Sequence, residues 1–262
     1  MDSGAYRQLV AIEDKHWWYI SRRRLVDALL KSMIPSPLER GVDVGCGTGA
    51  NFDMLQKHCR RLVGVDRSSL ALELAARRGG AADLVLGDAN HIAQLFGKGS
   101  FDLAALFTVL YHQWVADEAA VLSQISGLLK PGGVLILCEP AFRCLTRRHD
   151  RQVMGKTRYR LEFFSRILEN LGFEIKTATY FNSISFLPAW VSARVDAASK
   201  DKKIDPETPV SELNIPPSWI NNSVISLMDA ERRCITRFGS MPFGVSLLCL
   251  ARKKAEAVSG AR

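Results

Sequence analysis

From Val42 onward, short apolar runs alternate with helix-patterned segments, and this alternation narrows the fold more than any other property of the chain. Apolar stretches at 41–45, 61–65, 83–86, 101–107 and 133–138 read as strands, with helical patterns at 51–58, 70–78 and 117–129 between most of them. A helix at 161–171 and strands at 173–181 and 244–251 follow. Strands separated by helices are joined by crossovers rather than hairpins, which makes a mostly parallel sheet with helices on both faces. "NLGF" and "KPGG" set glycines where helices must stop and feed strands. The last two strands are separated by an insertion, 182–242, with helices expected at 187–198 and 219–238 and a polar, proline-bearing link at 199–217. The expected organisation is therefore a helical cap at 1–35, a core at 36–181, the helical lobe at 182–242, a final strand at 243–254 completing the core, and a tail at 255–262.

The turn after the first strand, "DVGCGTGANF" at 43–52, asks which ligand wants backbone so close. Glycines let a chain approach a ligand, and the helix start that follows exposes N–H groups. The spacing is G-x-G-x-G rather than the G-x-G-x-x-G of dinucleotide sites, and an acid, Asp43, stands two residues before Gly45. Opposite a pyrophosphate Asp43 would be repelled; beside an ammonium or sulfonium group it attracts. About twenty residues on, "RLVGVDRS" ends an apolar run on Asp66, placed to accept both hydroxyls of a ribose. A positive end plus a ribose suggests S-adenosylmethionine.

With "DVGCGTG", "VGVD", "GDA" at 87–89, "FDLAALFTVLYH" at 101–112 and "LLKPGGVLILCEP" at 128–140 in this order, the chain resembles the class I S-adenosylmethionine-dependent methyltransferases. The resemblance implies a Rossmann-like seven-stranded sheet whose last strand inserts antiparallel, and a helical lobe that roofs the substrate pocket. It implies that Gly45, Cys46 and Gly47 lie along the methionine moiety with Asp43 at its amino end, and that Asp66 binds the ribose. Arg67 would stand beside the adenine, Asp88 would accept from its amino group, and Ala89 would offer its backbone N–H. Phe107 ends the fourth strand among the expected cofactor-contacting residues. Upstream, "EDKHWWYISRRRLV" resembles the N-terminal segment of a subgroup with a His-aromatic-Trp-aromatic pattern followed by Arg. On a helix Trp18 and Arg22 share a face, as do Tyr19 and Arg23, so an aromatic can cover the cofactor while Arg22 pairs with its carboxylate.

Methyl transfer from a sulfonium is an in-line displacement, so the protein mainly aligns nucleophile, methyl and sulfur, and needs a base only when the acceptor still carries a proton. The segment "FTVLYHQW" follows the fourth strand and brings Tyr111 and His112 to the expected reacting edge, with His112 the candidate base from its ordinary pKa near 6.5. The alternative for His112 is a packed or capping side chain. The Asn/Asp-Pro-Pro-Tyr run carried by relatives that methylate amino groups of bases and glutamine is absent here, which disfavours that substrate class.

With 262 residues, 47% of them hydrophobic, one sizeable core plus an appended lobe is affordable. No apolar run reaches the ~20 residues that crossing a bilayer requires, and the N-terminus lacks a secretion-signal core, so a cytoplasmic protein is expected. Six cysteines without C-x-x-C spacing suggest neither zinc nor disulfides, and no metal is expected. The net charge of +8 admits an anionic small molecule, a peripheral membrane contact or nucleic acid, the last disfavoured by the lack of an added RNA-binding domain. Much of that charge sits in 141–160, read either as a solvated basic loop or as a place where Arg147, Arg148 and Arg151 converge on an acceptor's anion. The leading expectation is a methyltransferase acting on a small or medium-sized metabolite, glycan- and lipid-linked ones included. The alternatives are a cofactor-binding scaffold without methylation and an RNA methyltransferase.

Overall fold

The computed structural model describes residues 3–80, 82–198 and 214–255. Most of the polar link at 199–217 and of the expected tail lies outside them. Two helices, α1 (Ser3–Ile12) and α2 (Trp17–Met33), precede β1 (Leu38–Val44). There follow a single turn α3 (Phe52–Leu55), β2 (Cys59–Asp66), α4 (Ser69–Arg78), β3 (Ala82–Leu86), β4 (Phe101–Phe107), α5 (Glu118–Leu128) and β5 (Leu129–Pro140). The chain then forms α6 (Arg148–Gln152), α7 (Leu161–Asn170), β6 (Phe173–Phe181), α8 (Phe186–Ala198), α9 (Ser218–Phe238) and β7 (Ser246–Lys253).

The seven strands form one sheet in the order β3-β2-β1-β4-β5-β7-β6, with β7 antiparallel to both neighbours, as the resemblance implies. Both faces are buried, which is why the central strands read as unbroken apolar runs. Along β4, Ala104 and Leu106 join Val121 and Leu122 of α5 and Phe164 of α7, while Leu103, Ala105 and Phe107 join Leu25 and Leu29 of α2 and Phe52 of α3. Strand order reverses between β1 and β4, so their carboxyl ends open the crevice where sheets of this type take ligands.

Three segments differ from expectation. The helix expected at 51–58 is only one α-helical turn, α3, followed by turns to His58. The basic stretch contains a helix, α6, and is fastened over the loop after β4: His112 bridges Gly155, the Gln113 amide donates to the Met154 carbonyl at 2.9 Å, and that of Lys156 to Tyr111 at 2.7 Å. The 182–242 lobe divides in function. Helix α8 covers a cavity, whereas α9 braces α2 through the Trp17 amide on Asn221 Oδ1 (2.9 Å), Asn221 Nδ2 on the Lys15 carbonyl (2.9 Å) and an Arg24–Asp229 ion pair at 2.6 Å.

Candidate active site

The glycine turn after β1 is held from below. Backbone N–H groups of Gly45 and Cys46 donate to the Val65 carbonyl at 2.7 and 3.0 Å, and Gly47 N–H donates to Asp66 Oδ2 at 2.9 Å. All three glycines have positive φ, between 55° and 77°, but they face different things. A Cβ on Gly45 would lie 2.5 Å from Val109 Cγ2, and one on Gly49 2.7 Å from the Phe52 ring; one on Gly47 would meet nothing within 4 Å. Gly45 and Gly49 are required by packing, and Gly47 fronts open space.

That space is a cleft of about 100 Å³, whose walls include Gly45, Gly47, Asp66, Arg67, Asp88, Ala89 and His112. Six of these were expected from the sequence among the cofactor's contacts, whereas His112 was expected at the reacting edge. The sequence reading missed the cover: Tyr6, Leu9 and Glu13 of the N-terminal helical segment also line the cleft. Glu13 is buried and pins that cover to the turn, accepting from the Thr48 hydroxyl and from Arg78 Nη2 at 2.9 Å. Asp66 uses both oxygens, Oδ1 accepting from Ser68 N–H at 2.9 Å, so the carboxylate is fixed in place at the cleft wall. Asp88 caps the turn after β3, accepting from the Asn90 amide at 2.9 Å and its side chain at 2.7 Å.

Beneath the turn lie two buried polar groups, a carboxyl and a guanidinium. Asp43 is fully buried, and neither carboxylate oxygen finds a protein hydrogen-bond partner. Burial raises its pKa to about 8, with Arg22 pulling downward and Asp66 upward. Arg22 is 4% exposed; its guanidinium lies 4.6 Å from the Trp18 ring centroid, 5.6 Å from Tyr19 and 5.2 Å from Phe107, and its Nε has no partner. An α-amino acid zwitterion supplies what each group lacks, an ammonium for Asp43 and a carboxylate for Arg22. Neither group lines the cleft or the larger cavity, but the partners they lack are the ones the methionine end of S-adenosylmethionine carries.

A second cavity of about 670 Å³ adjoins the cleft, and Thr108 and Leu9 line both. Thr108 follows β4 with φ 57°, a conformation that costs a β-branched residue energy and marks the junction as over-determined by its surroundings. Trp18, Tyr19 and Tyr111 line this larger cavity, so the two aromatics expected to cover the cofactor instead wall the space beside it while caging Arg22. Cys46 and Phe107 are buried behind the turn and against Arg22, and neither lines the cleft or the larger cavity.

His112 differs from expectation. It lines the cleft, with its ring tilted against Tyr111 (centroids 4.2 Å apart) and stacked on Trp114 (4.1 Å), and burial lowers its pKa to about 4. Arg67 lies 5.1 Å from the same Trp114 ring. Burial, and then Glu139, raise the Tyr111 phenol, keeping it protonated at neutral pH. Glu139, at the end of β5, orders this whole loop: fully buried, it accepts from the amides of Val109 (2.9 Å), Leu110 (2.8 Å) and Tyr111 (3.3 Å). Its signal was an acid closing an apolar run, the same signal that marked Asp66.

Of the three arginines expected to converge, Arg147 reaches the larger cavity, the backbone N–H of Arg148 donates to Asp196 Oδ2 at 3.0 Å, and Arg151 is exposed. His149 and Arg158 join Arg147 on the wall, with Arg158 held by Asp150 through two bonds of 3.0 and 3.1 Å. Asn182, 2% exposed with φ 62°, contributes an Oδ1 that has no partner.

Residues 42–137 match the family described as methyltransferase domain. The chain is 35% identical over 112 residues to the demethylmenaquinone methyltransferase of Corynebacterium kroppenstedtii (43% of this chain, 46% of that one). It is 29% identical over 137 residues to the malonyl-[acyl-carrier protein] O-methyltransferase of Serratia marcescens (52% of each). It thus spans about half the length of these curated relatives. A SAM-dependent methyltransferase from Archaeoglobus fulgidus has the same fold, with a TM-score of 0.55, 21% identity, and 88% of this chain and 94% of that one covered. Residues 42–137, the glycine turn included, thus match a methyltransferase domain, and the sheet order is that of the methyltransferase fold.

Proposed function

We propose that the protein methylates a small or medium-sized, anionic metabolite that enters the larger cavity, using S-adenosylmethionine held in the cleft. The observation that carries this reading is the meeting of the two spaces at Thr108, at the carboxyl end of β4, where the sheet order reverses. Bound S-adenosylmethionine supplies a methyl group already activated by a sulfonium. Asp43 and Arg22 would take its amino and carboxylate groups, Asp66 the ribose hydroxyls, and Arg67, Asp88, Ala89, His112 and Trp114 the adenine end. On the other side, Asn182 Oδ1 would accept a hydrogen bond from the acceptor, while Arg147, His149 and the Asp150-anchored Arg158 meet its anionic group.

The protein's part is alignment and exclusion of water, the terms that matter most when the donor is pre-activated. Neither Tyr111 nor His112 is tuned as a base for neutral pH: the phenol stays protonated, and the imidazole is neutral but weakly basic at a pKa of about 4. In this reading both shape the site, and the acceptor's nucleophile reaches the methyl already unprotonated or loses its proton into the larger cavity.

The test is incubation of the protein with isotopically methyl-labelled S-adenosylmethionine and a metabolite extract, followed by mass spectrometry. Label in an anionic product, with the acceptor's KM raised by Arg147→Gln, is the expected result. Cofactor binding without label in any product would favour the scaffold reading.

A further inference from the structure

Helix α8 presents its side chains in the reverse of the usual order. The inward positions Ala189 and Ala193 are small and 5% exposed, whereas Leu187 is 66% exposed, Val191 48% and Val195 60%. Ile184, one turn before, is 44% exposed. Spacings of three and four residues put these four on one face. A helix that served only as a roof would turn its large apolar residues inward and its polar ones to water. The inward side of this one is already used, since Pro188, Ala189 and Ser192 line the larger cavity.

The borders of the stripe say what it meets. Trp190 stands beside it, 38% exposed, with the Arg194 guanidinium 5.1 Å from its ring centroid. The turn at Arg143–Leu145 packs along α8, and the Arg148 amide bonds Asp196 near the helix end, so the basic segment runs alongside. Arg143, Arg151 and Arg194 are all exposed, and Asp196, engaged with that amide, is the one acid of the helix. Exposed large aliphatics on one face, a tryptophan at the border, and Arg194 with the adjoining basic segment beside them form an apolar patch rimmed by positive charge, which suits the headgroup region of an anionic membrane. We infer that the outer face of α8 docks the protein on an anionic membrane surface, with the larger cavity directly beneath the docked helix. This goes beyond methyl transfer and does not depend on it.

Flotation of the full chain with vesicles of phosphatidylcholine alone, and of phosphatidylcholine mixed with phosphatidylglycerol, tests the inference. The protein should float with the mixed vesicles, less so at high salt, and only weakly with the neutral ones. Leu187→Asn combined with Val191→Asn should weaken partition by about tenfold or more, and Leu187→Ser alone should act in the same direction. Arg194→Gln should weaken binding to the mixed vesicles only. S-adenosylhomocysteine affinity should hold in every variant, because none of these residues lines the cofactor cleft. Absence of flotation by the wild type, or equal flotation by the double variant, would overturn the inference. So would a wild-type dimer that the double variant converts to monomer, which would make a second copy the occupant of the stripe.

Discussion

Asp43 stores a cost that ligand binding should relieve. A carboxyl group with a pKa of about 8 is mostly protonated at neutral pH, and its ionised form is disfavoured by burial, which outweighs the pull of Arg22. Because the folded pKa is raised, the group's contribution is most favourable below its unfolded value near 3.9 and is lost progressively as pH rises toward 8. At pH 7 the loss is on the order of 4 kcal/mol relative to low pH, and Asp43→Asn, which cannot ionise, should recover much of it. The ligand-free variant should therefore unfold at higher temperature than wild type, with the difference growing from pH 5 to pH 8. Binding works in the opposite direction. An ammonium beside Asp43 favours the carboxylate, so S-adenosylhomocysteine, which keeps the same amino acid end, should release close to one proton on binding at pH 7 and bind more tightly as pH approaches 8. Calorimetry in buffers of different ionisation enthalpy counts that proton. The Asn variant should release none and lose about 1–3 kcal/mol of affinity. Equal stability of wild type and variant across this range, together with no proton release by wild type, would refute the placement of the amino group on Asp43.

Gly47→Ala should weaken S-adenosylhomocysteine binding at a folding cost of only about 1–2 kcal/mol for its positive φ, while Gly49→Ala should cost more stability because its methyl collides with Phe52; chemical denaturation beside calorimetry separates the two. Asp150→Ala leaves Arg158 buried without its partner and should destabilise by about 3–5 kcal/mol in denaturant titration, an effect too large for a solvated loop. His112, its pKa lowered to about 4, stabilises the fold fully above its unfolded pKa near 6.5, and this is lost as pH falls toward 4; His112→Gln should flatten the pH dependence of stability in that window by about 3 kcal/mol. Turnover should correspondingly show no rise near pH 6.5 that the variant abolishes.

The core was legible because its grammar is local and repetitive. Two-sided burial makes central strands read as apolar runs, and the glycine turn and Asp66 close such runs at the edge where the cleft opens. The second wall of the site was harder to read because its residues gain meaning only from contacts far away in the chain. Glu13 reaches Thr48 and Arg78, Asn221 meets Trp17, and Asn182 sits in a left-handed turn that nothing in its neighbours announces. The basic stretch misled for the same reason. Asp150 and Arg158 look like two charges in a solvated run, yet they pair with each other in a buried wall while Arg151 points to water. His112 shows the limit of reading chemistry from type: it does follow β4, but burial there takes it out of the range where a histidine is a useful base.

The central claim is that cofactor and acceptor occupy separate spaces that meet at Thr108. Ser192 lines the larger cavity from α8 and is absent from the cofactor cleft, so Ser192→Phe places a ring where only the acceptor should go. Methyl transfer by this variant to the acceptor found with wild type, measured by label incorporation under saturating S-adenosylmethionine, is the direct test. The account predicts that transfer falls by at least about tenfold while S-adenosylhomocysteine affinity stays at the wild-type value. Undiminished transfer at the same acceptor concentration would contradict it.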